Sequence, residues 1–110
     1  MTKTMNGPMS TSRSSSEPAG MHQRLVARVH GRVQGVNFRY QTAMRARALV
    51  LTGTVCNRLD RTVEVVAEGP RPQLEQLLAW LWEGPSMAHV QDVQASWLSA
   101  NGEFSSFEVR

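Results

Sequence analysis

The sequence predicts an α+β sandwich: two helices on one face of a mostly antiparallel sheet of about five strands, ordered β-α-β-β-α-β with one strand added at the end. Three observations carry this. Two segments, 38–51 and one opening at Pro70 and Pro72, place apolar residues at helical spacing. Short segments elsewhere alternate apolar and polar residues, as half-buried strands do. Glycine, proline and asparagine punctuate the joins.

The first strand is "RLVARVH", with Leu25, Ala27 and Val29 on one face and Val26, Arg28 and His30 on the other. A glycine-containing loop follows. The first helix then stacks Phe38, Thr42, Arg45/Ala46 and Leu49, with Ala43 and Val50 alongside. Gly53 ends the connection and "TVCN" starts a second strand. "RLDR" reads as a turn, and "TVEVVAEG" as a third strand with Val63, Val65 and Ala67 facing one way. Pro70 and Pro72 suit the start of a helix, where a missing N–H costs nothing. Leu74, Leu77, Leu78 and Leu81 form its stripe, and Gly84-Pro85 stops it. "VQDVQASWL" is a fourth strand. Asn101-Gly102 predicts a hairpin turn into a last strand, "FEVR". Right-handed crossovers put both helices on one sheet face, the split βαβ, ferredoxin-like arrangement.

Residues 1–22 have no periodicity and are rich in Ser, Thr, Met, Gly and Pro; they are expected to form a disordered tail ahead of a domain at 23–110. Cys56 is the sole cysteine, so the fold needs no disulfide and suits the cytoplasm. No apolar run reaches membrane-spanning length. No acid stands between Glu17 and Asp60, whereas Arg24, Arg28, Arg32, Arg39, Arg45, Arg47 and Arg58 do. Such asymmetry suggests an anionic partner, unless these arginines simply coat a solvated face.

The loop sharpens that suggestion. The first N–H groups of a helix lack intrahelical acceptors, and the helix dipole adds about half a positive charge there. An acidic or hydroxyl cap usually answers both. Here the helix is preceded by Gly31-Arg32-Val33-Gln34-Gly35-Val36-Asn37, and Arg39 adds a cation to its first turn. That placement fits an external anion. Glycines let the backbone take positive φ and form an anion-holding nest, and a guanidinium matches phosphate oxygens two at a time. Neither a Walker lysine nor G-x-G-x-x-G is present: Lys3 is the only lysine. Tight-turn glycines and a solvated Arg39 remain the bland alternative.

"VHGRVQGVNFR" at 29–39 resembles the signature of the acylphosphatases. The likeness continues through "ALVLTGTVCNRLDRTVEVVAEGP" at 48–70 and "LAWLWEGPSMAHVQDV" at 78–93, and ends in "FSSFEVR". It implies hydrolysis of carboxyl-phosphate anhydrides to carboxylate and inorganic phosphate, with no metal or other cofactor. By this resemblance Arg39 binds the phosphate and Asn57 positions the attacking water. The amides of Gly31, Arg32, Val33, Gln34, Gly35, Val36 and Asn37 hold phosphoryl oxygens. On its residues alone, Asn57 reads as a strand-end turn cap. The chain departs from the family at Val50 and Arg61, where glycine is usual, and at Thr54, where tryptophan is common. The partners implied are a small-molecule acyl phosphate and phosphate, with no nucleic acid and no membrane; a monomer is expected.

Other chemistry finds less support. Cys56 should face away from Asn57 and be buried. His22, His30 and His89 lack metal-ligand spacing. Trp80, Trp82 and Trp97 read as packing aromatics with partly exposed edges. A catalytically silent phosphate-binding or regulatory domain is the nearest rival. An RNA-binding module of the same architecture is weaker, because the first and third strands carry no aromatics on which bases could stack.

Overall fold

The computed structural model describes residues 22–110. Its elements are β1 (His22–Arg32), α1 (Phe38–Ala48), β2 (Thr52–Asn57), β3 (Val63–Pro70), α2 (Arg71–Glu83), β4 (His89–Ser99) and β5 (Phe107–Val109). The expected tail lies outside the described residues but for His22, which opens β1.

Strand order is β4-β1-β3-β2-β5. β1 and β2 both run antiparallel to β3, which lies between them, so β1-α1-β2 is a split crossover. Alternation sets the faces. Leu25, Ala27 and Val29 of β1 stand opposite Ala67, Val65 and Val63 of β3, and Val55 of β2 faces Val65. All are buried. Phe38, Ala43 and Ala46 of α1 and Leu74, Leu77 and Leu81 of α2 join them in one core. The predicted sandwich is therefore present, with its helices packed on the predicted strand faces.

Two local expectations are corrected. Gly53 lies within β2, rather than ending the connection before it. Cys56 is half-buried instead of buried, its Sγ 3.9 Å from Glu64 Oε1.

A third correction concerns the last strand. β5 does not return as a hairpin beside β4; it pairs in parallel with β2 at the opposite edge. Residues 100–106 cross one end of the sheet to reach it. Asn101 and Gly102 form a turn inside that crossing, where Asn101 Oδ1 accepts the N–H of Glu103. Two arginines of α1 hold β5: Arg47 donates Nε and Nη2 to the Phe107 carbonyl at 2.9 and 2.7 Å, and Arg39 donates Nη1 to the main-chain oxygen of Arg110. Buried Phe107 fixes the strand from below.

Glu68 anchors the crossing segment. It is buried and accepts Arg24 Nε at 2.7 Å and the N–H groups of Asn101 and Gly102, each at 3.1 Å. Burial pushes its carboxyl up, but these donors and the charge of Arg24 outweigh that and hold it below the ordinary range. A lowered folded-state pKa stabilises above the unfolded value of about 4.3, and that contribution disappears as pH falls through the folded value. Glu68→Gln is expected to cost about 2 kcal/mol at pH 7, with the deficit shrinking below about pH 4.5. Urea unfolding at several pH values checks both.

The departures at Val50 and Arg61 have a backbone cause. Val50 has φ 58° and Arg61 φ 75°, left-handed values that glycine accepts freely. Val50 is the residue after the α1 cap. Its N–H bonds Arg47 O and that of Leu51 bonds Ala46 O, a Schellman closure. Its side chain is 85% exposed, so little apolar burial offsets the strain. Val50→Gly is expected to stabilise the fold by about 1 kcal/mol, raising the thermal midpoint by about 4–8 °C. Calorimetry measures this directly.

Candidate active site

The segment between β1 and α1 is anchored from inside: Val33 is buried, and Val36 packs against the core. Gly31 and Arg32, expected in the loop, are the last residues of β1 and pair with Val90 and His89 across a bulge. A Cβ on Gly31 would stand 2.2 Å from the His89 carbonyl, so this glycine answers to the close approach of β4. Gly35, at φ 77°, meets no such neighbour and serves the turn itself.

Asn37 precedes α1 in left-handed conformation and makes no side-chain capping bond. The first turn carries no acid. Gln41 N–H to Asn37 O is the first bond of the helix, and no main-chain N–H from 33 to 40 has an acceptor among the described residues. The expected uncapped, positively polarised turn is present.

Arg39 projects from this turn, half-buried. One amino group is held by the Arg110 main-chain oxygen at 2.7 Å, and no side-chain carboxylate pairs with it among the described residues. Asn57 closes β2 on the same sheet face as Val55, the helix-bearing face. It is exposed, and its carboxamide bonds no described residue. A cleft of about 440 Å³ gathers Val33, Gly35, Asn37, Phe38, Arg39, Tyr40, Asn57 and Val109. The loop, the guanidinium and the amide, scattered over 33–57, therefore meet at one hollow.

Most of the other arginines are answered internally. Arg24 pairs with Glu68 and Glu103, Arg28 with Asp60 and Glu64, and Arg58 with Glu64. Arg45 lies over the Trp80 ring. The basic first half of the chain meets the acidic second half because β1 and β2 flank β3. Of the seven arginines between Glu17 and Asp60, Arg39 is the one that lines the cleft. His30 sits beside Gln94, its Nε2 3.3 Å from Oε1.

The sequence did not single out three features. Tyr40 and Val109 rim the cleft. The Gln34 side chain donates Nε2 to the main-chain oxygens of Arg58 and Thr62, both at 2.9 Å. Only the position of Tyr40, next to Arg39 in the first turn, could have hinted at its place; the other two depend on long-range packing. Among the described residues no three His, Cys, Asp or Glu side chains cluster as metal ligands, and no helix is long and apolar enough to cross a membrane.

Known proteins share this fold. The family model described as acylphosphatase matches residues 25–109. An acylphosphatase of Pelotomaculum thermopropionicum is 49% identical over 81 residues, 74% of this chain and 88% of that protein. The crystal structure of the Bacillus subtilis acylphosphatase superposes with a TM-score of 0.77 at 33% identity, covering 80% of this chain and 98% of that one. The Coxiella burnetii acylphosphatase gives 0.76 at 39% identity, over 81% and 93%. Agreement that spans the fold from β1 to β5 and nearly the full length of each relative makes this chain an enzyme of the acylphosphatase family.

Proposed function

We propose that this enzyme hydrolyses small acyl phosphates with Arg39 and the 33–37 amides holding the phosphoryl group and Asn57 orienting the water. One observation carries the reading: an uncapped α1 N-terminus, with a cation in its first turn, shares a cleft with an unpartnered amide.

The chemistry asks for little more. The leaving group is a carboxylate, whose conjugate acid has a pKa of about 4, so it departs without a proton donor. Phosphoryl transfer through a loose transition state depends on position and on charge stabilisation. The N–H groups and the Arg39 fork face charge that spreads over the equatorial oxygens. The Asn57 carbonyl accepts from the water and aims its lone pair at phosphorus. The water's proton passes to a phosphoryl oxygen as the P–O bond to the acyl group breaks. Recognition centred on the phosphoryl group admits several acyl groups, and a monomer working in the cytoplasm fits a site built within one chain that needs no disulfide.

Phosphate release from acetyl phosphate, followed with and without chelator, tests this. The expected result is turnover far above the uncatalysed rate, unaffected by chelator. Binding of inorganic phosphate without turnover would instead make the domain a phosphate sensor.

A further inference from the structure

We infer that the side chain of Gln34 is a positioning residue that sets the place of Asn57, acting as a staple between the anion-holding loop and the β2–β3 turn. This rests on the proposed role of Asn57. Gln34 belongs to the loop, yet both hydrogens of its amide are committed elsewhere, to Arg58 O and Thr62 O at 2.9 Å each. These oxygens bracket the site. Arg58 immediately follows Asn57, and Thr62 immediately precedes Val63, the cross-strand partner of Asn57. The turn between them is closed by Arg58 N–H to Thr62 O at 2.9 Å. Asp60 ties the same turn, accepting from the N–H and hydroxyl of Thr62. Gln34 therefore holds a turn that is already locally ordered, and fixes where that turn sits against the loop.

No other side chain from 33 to 37 bonds the β2–β3 turn among the described residues. The consequence is specific. Phosphate is held by the loop and Arg39, on one side of the staple; water is aimed by Asn57, on the other. Cutting the staple should leave phosphate binding intact and let the aim of the water wander.

The test uses Gln34→Leu, Asn57→Ala and the double variant, with acetyl phosphate as substrate and inorganic phosphate as the binding probe. Gln34→Leu should lower kcat by about 10–30-fold, since a misplacement of about 1 Å can cost a hundredfold, while phosphate Kd changes less than about threefold. The double variant should be no slower than Asn57→Ala alone, because a staple has nothing left to position. Gln34→Glu adds a readout that a general loss of stability would not produce. Ionised at pH 7.5, it confronts two carbonyl oxygens and should be as slow as the leucine variant; protonated near pH 5, it regains one donor and should recover relative to leucine at that pH. Multiplying losses in the double variant, phosphate binding weakened in step with kcat, or no acid recovery in Gln34→Glu would each overturn the staple. Normal turnover by Asn57→Ala alone would instead remove the reading on which it rests.

Discussion

Arg39→Ala is expected to reduce kcat/KM for acetyl phosphate by about 1,000-fold or more and to weaken inorganic phosphate binding alongside. Loss of one neutral donor to a developing oxyanion costs about 100–1,000-fold, and a guanidinium brings full charge and two aligned N–H groups. Among the described residues no other cation lines the cleft to replace it. The Arg110 main-chain oxygen takes one Nη1 hydrogen of Arg39, which aims the remainder of the fork and resists its swinging into solvent. Arg39→Lys restores charge but not planarity, so it should recover only part of the loss. Initial rates and phosphate inhibition, with circular dichroism to confirm folding, decide the matter. Undiminished phosphate affinity in Arg39→Ala would remove the arginine from the binding machinery.

What could be read from the residues divides by the range of the interaction. The faces of β1 and β3 follow from period-two alternation, and the α2 stripe from leucines at helical spacing; both are local patterns, and the buried residues match them. The bare α1 start was equally local, since a missing cap is visible in the chain itself. Edge choice was not. Asn101-Gly102 carries a genuine turn signal, but whether the chain then returns beside β4 or crosses to β2 depends on Glu68, Arg47 and Phe107, none of them neighbours in sequence. The side chain of Asn57 likewise required the sheet to be assembled before its face was known. The charge asymmetry could not be apportioned for the same reason: Arg24, Arg28 and Arg58 found acids only after β1, β2 and β3 had paired. The glycine departures were flagged by resemblance, and their physical content, positive φ at Val50 and Arg61, emerged in the backbone.

Asn57→Ala is expected to lower kcat by about 100–1,000-fold while leaving phosphate affinity within about threefold. The separation follows from placement. Asn57 ends β2 and enters the cleft from the sheet, whereas the loop and Arg39 enter from the start of α1. On the proposed reading, ground-state phosphate is held from the α1 side alone, and only attack requires the sheet side. The substitution is also structurally mild: the residue is exposed, its carboxamide bonds no described residue, and such changes usually alter stability by less than about 0.5 kcal/mol. A fall in kcat can then be read as lost transition-state contact rather than lost fold. Asn57→Asp distinguishes orientation from mere polarity. Its carboxylate could still accept from water but would oppose the phosphoryl dianion, so phosphate binding should weaken where alanine leaves it unchanged. Should alanine and aspartate behave alike in phosphate binding, Asn57 does not face the bound anion, and the water must be supplied from elsewhere in the cleft.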